Sequence, residues 1–219
     1  MDPYFDKQVQ GGKAMNYESA MNRITLRGTI TATRMNTRNK AIYTIATDGD
    51  YGNSEFPEVI HMVNSSEEVR RVGENITAIC HARSGKTMLE DNTPVYFKQI
   101  IADSVYKSER ILSSYFENLP EEGTAPKDIN EFVFCGEIYR VTVNPGGRDI
   151  VLITLKIPED DSYYHYVEVV GFKGQAEIMK QAEEGDFMAV AGAIRTIKKE
   201  NKYAFDYVAR DVYLQSVEE

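Results

Sequence analysis

The sequence predicts an all-β protein with short helices, built as two consecutive five-stranded barrels. Two observations carry that expectation. The chain is written twice, and each copy alternates strand-like runs with turn residues and one helical stretch. The first copy reads RITLRGTITAT, KAIYTIATDG, EVIHMV, SSEEVRRVGE, NITAICHARSGK and VYFKQIIADSVY. The second reads EFVFCGEIYRV, DIVLITLKI, YVEVVGF, GQAEIMKQAEEG, DFMAVAGAIRTIKK and YAFDYVARDVY. Gly28 answers to Gly136, and Ile101–Tyr106 answers to Val208–Tyr213 without a gap. Such a repeat is read before any local propensity, because it changes every later assignment.

The elements follow in order. In the second copy Phe132, Phe134 and Ile138 alternate with Val133, Cys135 and Tyr139, the period of a strand with one buried face. Ile150–Ile157 is aliphatic and β-branched, as a well-buried strand requires. Asn144-Pro145-Gly146-Gly147 supplies the turn between these two strands. Gln175–Glu184 is rich in helix formers and sets Ile178, Met179 and Ala182 on one side; Gly185 is placed to end it. Five strands with a helix after the third is the pattern of an OB-fold, a five-stranded Greek-key barrel. Residues 21–107 form the first barrel and 131–216 the second. Residues 108–130, punctuated by Pro120, Gly123 and Pro126, form a linker, in which Ile111, Leu112, Tyr115 and Phe116 suit a short docking helix. Residues 1–20 show no period and are expected to be a flexible arm.

Composition narrows the class. A chain of 219 residues with 42% hydrophobic content can bury a core in each of two domains. No apolar run is long enough to cross a bilayer, and MDPYFDKQVQ has no signal-peptide core, so a cytoplasmic protein without a membrane partner is expected. Cys80 and Cys135 sit in strand-like runs and form no disulfide framework. The net charge is −9, most of it carried by residues 120–219, while Arg23, Arg27, Arg34, Arg38 and Lys40 cluster near the start. That balance argues against tight, indiscriminate binding to duplex and leaves room for a local basic groove.

The second copy carries Tyr166-Val-Glu-Val-Val-Gly-Phe172-Lys-Gly-Gln-Ala176-Glu177, then Gly185, then Val190-Ala191-Gly192-Ala193-Ile194-Arg195-Thr196. It closes with Tyr203 and Val208-Ala209-Arg210-Asp211-Val212. In order and spacing this resembles the third strand, helix and last two strands of the bacterial single-stranded DNA-binding protein (SSB) family. The resemblance covers residues 131–215 well and 21–107 weakly, through the repeat. It implies that bases stack on aromatic side chains while basic side chains track the phosphates. Tyr166 falls where the family has a Trp and Phe172 where it has a Phe. Six residues apart, they share one face of a strand. Phe56 and Met62, at the same spacing, are their degenerate equivalents in the first copy. The chain has no Trp, yet any ring can stack, at about 1–3 kcal/mol per base. Glu168 lies between the two rings and would repel phosphate. The family assembles four barrels, which implies a homodimer for a two-barrel chain.

Basic residues fall at loop positions that OB-folds use to clamp oligonucleotides. They are Arg34, Arg38 and Lys40 after the first strand, Arg83 and Lys86 after the fourth, and Arg195, Lys198, Lys199 and Lys202 beside Tyr203 in the second copy. Phe205 and Tyr207 suit either core packing or stacking, since alternation alone does not choose the face. Ser84-Gly85-Lys86-Thr87 imitates a phosphate-binding loop, but Cys80 stands where that motif needs its first Gly. His61, His81 and His165 are scattered, and Cys80 and His81 as strand neighbours face opposite sides, so no metal and no cofactor is expected. The sequence therefore reads as a non-enzymatic coat for single-stranded DNA. RNA stays open, because discrimination of the 2′-hydroxyl depends on three-dimensional geometry. The alternative is a protein-interaction module serving replication or recombination proteins, favoured by the acidic charge and Glu168.

Overall fold

A computed structural model describes residues 20–35, 39–49, 53–63, 67–89, 92–108, 128–144, 149–159, 162–199 and 202–215. The expected N-terminal arm up to residue 19 and the docking helix at 111–116 lie outside the described residues. The first copy forms β1 (Met21–Met35), β2 (Lys40–Asp48), β3 (Ser54–Glu55), β4 (Glu58–Met62), β5 (Asn75–Met88) and β6 (Pro94–Lys107). The second forms β7 (Ile129–Val143), β8 (Ile150–Pro158), β9 (Tyr164–Phe172), the helix α1 (Gly174–Met179), β10 (Phe187–Lys199) and β11 (Lys202–Gln215). No described helix is long and apolar enough to cross a membrane.

Each copy closes on itself. In the first, β1 pairs with both β2 and β5, β5 with β6, β2 with β4, and the parallel pair β4–β6 completes the ring. In the second, β7 pairs with β8 and β10, β10 with β11, β8 with β9, and the parallel pair β9–β11 closes it. Antiparallel pairs with one parallel closure make the tandem OB fold that the sequence predicts. The copies agree down to their irregularities. The bulge between Ile30 and Ala32 on β1 recurs between Ile138 and Arg140 on β7. The shift between Ile79 and Cys80 on β5 recurs between Ala191 and Gly192 on β10.

Alternation fills both interiors. Along β8, Val151, Ile153, Leu155 and Ile157 are buried while their neighbours are only partly covered. Phe132, Phe134 and Tyr207 make the aromatic centre of the second barrel, with Tyr207 edge-on to both rings at 5.4 and 4.9 Å. Tyr207 is therefore core, and Phe205 packs beside it at 5.3 Å. Gly28 allows the tight crossing of β1 over β2, since a Cβ there would lie 2.0 Å from the Ala46 carbonyl oxygen.

The barrels are fused by an antiparallel ladder between β1 and β7, from Met21↔Cys135 to Arg27↔Ile129. Its central pair, Ile24↔Phe132, joins the two copies of one repeat position. A local two-fold axis passes there, and the chain has the isologous interface of a symmetric dimer within one polypeptide. To reach this ladder each strand must leave its own barrel. β7 pairs with β10 as far as Phe132↔Gly192, and the next place in register is filled by a side chain. The Asn130 amide donates to the Ile194 carbonyl at 2.8 Å and accepts from the Ile194 N–H at 2.9 Å. Asn22 does the same for Ala82, at 2.8 Å in both directions. A side-chain amide thus stands in for a peptide group where the strands part.

Three expectations are corrected. The helix ends at Met179 rather than Glu184, with a turn over Lys180 and Gln181. Its counterpart in the first copy is not helical over 67–74. There the Arg70 N–H donates to the Tyr43 hydroxyl and the Arg70 carbonyl accepts from Thr33 Oγ1, so the backbone groups are spent on neighbouring strands instead of on a helix. Phe56 and Met62 do not share a strand: β3 stops at Glu55 and β4 starts at Glu58. Pro57 between them has no N–H to give a ladder, which breaks the strand there.

Candidate nucleic-acid interface

Tyr166 and Phe172 both lie on β9, at even spacing and on one face. Tyr166 is exposed, with 43% of its surface accessible; Phe172 is half-buried. The guanidinium of Arg195 on β10 lies 5.0 Å from the Phe172 ring centroid, and Arg195 also faces Asp206 at 3.6 Å. The candidate stacking face therefore has an open ring at one end and a ring capped by a cation at the other.

A third ring belongs to this face and escapes sequence reasoning. Tyr139 is the extra residue of the β7 bulge and is 53% exposed. Its ring stands edge-on to Tyr166, centroids 4.8 Å apart at 67°. Bulges re-aim side chains in this way. The only sequence signal is that Tyr139 falls in the outward-facing set of its strand. Burial, and the Tyr139 and Glu137 groups, raise the pKa of Tyr166 while nearby Lys156 lowers it; the phenol stays protonated at neutral pH.

The β5–β6 hairpin of the first barrel reaches over β9 of the second. The backbone N–H of Tyr166 donates to Ser84 Oγ at 3.0 Å, and the Tyr163 hydroxyl donates to the Ser84 carbonyl at 3.4 Å. The exposed cations Arg83 and Lys86 flank Ser84 on β5. Lys98 of β6 crosses the same seam, 3.8 Å from Asp206 and over the Phe205 and Tyr207 rings at 4.8 and 5.2 Å. Burial lowers its pKa, while Asp206 and Glu168 pull it back up. Glu168 is thus not an isolated charge on this face. The reciprocal contact exists across the two-fold, where the Phe56 N–H donates to Thr196 Oγ1 at 3.0 Å.

Other candidates fall elsewhere. Arg34 ends β1 in an ion pair with Glu58 at 2.7 Å, which reduces its availability for phosphate. Lys40 starts β2 opposite Met62, whose side chain is 51% exposed, so these two mark the far end of the first barrel. Lys198 is exposed on β10, and the hairpin pairs Lys198↔Tyr203 and Lys199↔Lys202. Arg38 and the side chains of Lys199, Lys202 and Tyr203 lie outside the described residues. Arg195 is linked to the Ser84 seam, since it and Lys98, the β6 partner of Ser84, both face Asp206. Two of the three histidines that look scattered in sequence also meet. His81 and His165 lie 6.1 Å apart across the seam, His81 beside Asp103 at 2.8 Å and His165 beside Glu159 at 3.0 Å. Among the described residues, no group of three or more His, Cys, Asp or Glu is arranged to hold a metal.

No family model and no curated protein matches the chain. Solved structures do. A deletion mutant of the single-stranded DNA binding protein from Thermus aquaticus superposes with a TM-score of 0.62 at 16% identity, covering 92% of this chain and 97% of that one. The fold is that of a tandem-OB, SSB-like protein. The wild-type Thermus aquaticus protein superposes at 0.60 with 17% identity, over 91% of this chain and 95% of that one. Identities this low speak for the SSB-like fold and leave the residues of each face to be argued on their own chemistry.

Proposed function

We propose that this SSB-like chain binds single-stranded DNA by stacking bases on tyrosine and phenylalanine rings while neighbouring cations neutralise phosphate, with no chemistry on the strand. One observation carries this reading. The exposed rings of Tyr166 and Tyr139 lie on one barrel, directly under a hairpin of the other that bears Arg83 and Lys86. Rings for stacking beside cations for the backbone is the arrangement sequence-tolerant single-strand binders use. Met62 and Phe56 add less, since they share no strand. The structural neighbours named as single-stranded DNA binding proteins support the reading through the fold. A homodimer would bring four barrels together, the expected assembly, and light scattering of the purified chain measures it.

The test is titration with oligo-dT and with duplex of equal length, followed by tyrosine fluorescence at two salt concentrations. Oligo-dT quenches, duplex does not, and log affinity falls with log salt by about 0.7 per phosphate contact. The Tyr166→Ala, Phe172→Ala double variant keeps its circular dichroism and loses most of the affinity. Unchanged binding by that variant removes the site. The net charge of −9 favours a second reading, a protein-interaction module, which predicts no response to either nucleic acid.

A further inference from the structure

The local two-fold axis makes two equivalent seams, each where the outer hairpin of one barrel meets the third strand of the other. In both, a hairpin hydroxyl accepts from the backbone N–H of an aromatic residue: Ser84 from Tyr166, and Thr196 from Phe56. The backbone obeys the symmetry and the side chains break it. At the Ser84 seam the bulge residue is Tyr139, whose exposed ring faces Tyr166 at 4.8 Å. At the Thr196 seam the equivalent bulge residue is Thr31, which has no ring and whose hydroxyl donates to the Thr44 carbonyl at 3.2 Å.

The position preceding each aromatic also differs. At the Thr196 seam it is Glu55, only 9% exposed. Its carboxylate accepts from both the N–H and the hydroxyl of Thr196, the latter at 2.6 Å. That pins the hairpin down and leaves a buried carboxyl group beside Phe56. At the Ser84 seam the equivalent residue is His165, which turns to Glu159 at 3.0 Å instead of to the hairpin. Near this second seam Glu159 faces His165, Asp103 faces His81, Glu137 faces Lys156 at 3.5 Å, and the exposed Glu168 acts on Lys98. Arg83 and Lys86 are exposed on the hairpin strand on either side of Ser84, as Arg195 and Lys198 are beside Thr196.

We infer that the two seams have diverged into one open and one closed site, and that a nucleobase of single-stranded nucleic acid is held at the open one. The composite site stacks the base on the Tyr139–Tyr166 pair of the second barrel and presents its phosphates to Arg83 and Lys86 of the first. Neither barrel holds the whole site. This deepens, and rests on, the single-stranded DNA reading above. The closed seam, with Glu55 locked on Thr196 and no second ring, takes no base. Arg195 and Lys198 are exposed at the hairpin positions equivalent to Arg83 and Lys86, so the seams differ in the Glu55 carboxylate held on Thr196 and in the ring count: a base at Phe56 would find one ring instead of two. The occupant follows from charge and shape together: two accessible rings favour a flat π-system, and flanking cations favour one carrying phosphate.

The test uses the full chain and a (dT) oligonucleotide of about eight residues, within the site size of one barrel. Calorimetry gives affinity and stoichiometry for the unsubstituted chain, Tyr139→Ala, Tyr139→Phe and Phe56→Ala. Loss of one stacking ring is expected to weaken binding about 5- to 150-fold in Tyr139→Ala. Tyr139→Phe keeps the ring and stays within about two-fold, as does Phe56→Ala, with one oligonucleotide bound per chain. Crosslinking with iodouracil-substituted oligonucleotide is expected to mark Tyr139 or Tyr166 and spare Phe56. Equal weakening by Phe56→Ala and Tyr139→Ala, or two oligonucleotides per chain, would overturn the open and closed assignment while leaving single-strand binding intact. No binding by the unsubstituted chain would instead remove the parent reading, and this inference with it.

Discussion

Asn130→Ala should be among the most damaging polar substitutions in this protein. The side chain is 5% exposed and makes two hydrogen bonds to one residue, accepting from the Ile194 N–H at 2.9 Å and donating to its carbonyl at 2.8 Å. Alanine leaves both backbone groups without a partner at a place β7 cannot serve, because its own backbone there pairs with β1 as Leu26↔Asn130. An unsatisfied buried donor or acceptor costs about 1–3 kcal/mol, so the pair costs about 2–6 kcal/mol. That is a large part of the roughly 5–15 kcal/mol that holds a domain folded. The repeat supplies an internal control. Asn22 makes the same two bonds to Ala82 but is only partly buried, so water can replace its amide and Asn22→Ala should cost about 1–2 kcal/mol. Equilibrium urea unfolding, followed by circular dichroism, measures both. An Asn130→Ala midpoint indistinguishable from that of the unsubstituted chain would refute the idea that these amides complete the ladder where the strands part. A larger loss for Asn22→Ala would refute the burial argument.

Acid should destabilise the fold before carboxylates titrate. Burial lowers the pKa of His165, with His81 and Arg83 adding to it and Glu159 opposing; burial also lowers His61, with Glu67 opposing and Arg70 adding. The unfolded chain then binds protons near the ordinary value of 6.5 that the folded chain refuses, so this stability is complete above pH 6.5 and is lost as pH falls through the lower folded values. A urea midpoint equal or higher at about pH 5.5 than at about pH 7.5 would contradict it. Gly28→Ala should lose about 1–3 kcal/mol by thermal unfolding, because the new Cβ falls 2.0 Å from the Ala46 carbonyl oxygen. Gly136→Ala, at 2.7 Å from the Lys156 oxygen, should lose less, and the reverse order would refute the crossing argument. Gly185→Ala meets no atom within 4 Å, so its loss of about 1 kcal/mol isolates the cost of a φ of +96.

Much of the fold is legible because it is written in short-range pattern. The alternation of Phe132, Phe134 and Ile138 with Val133, Cys135 and Tyr139 states which side faces a core, and the repeat states that there are two cores. Even spacing on one strand placed Tyr166 and Phe172 together, which holds on β9. The same spacing failed for Phe56 and Met62, since Pro57 interrupts the ladder and a count of residues assumes an unbroken strand. The helix-like SSEEVRRVGE lost its expected form because Tyr43 and Thr33, distant in sequence, offered its backbone other partners.

By itself the sequence determined two barrels, their cores and the face of β9 that carries the rings, because burial on a pleated strand repeats every second residue and needs no knowledge of distant neighbours. Only the tertiary structure decided that β1 and β7 join across a two-fold axis, that Ser84 sits on Tyr166, and that a bulge brings Tyr139 beside it. Those contacts depend on where backbone groups are left unpaired once each barrel has closed, and that is a property of the whole folded sheet rather than of any window of the chain.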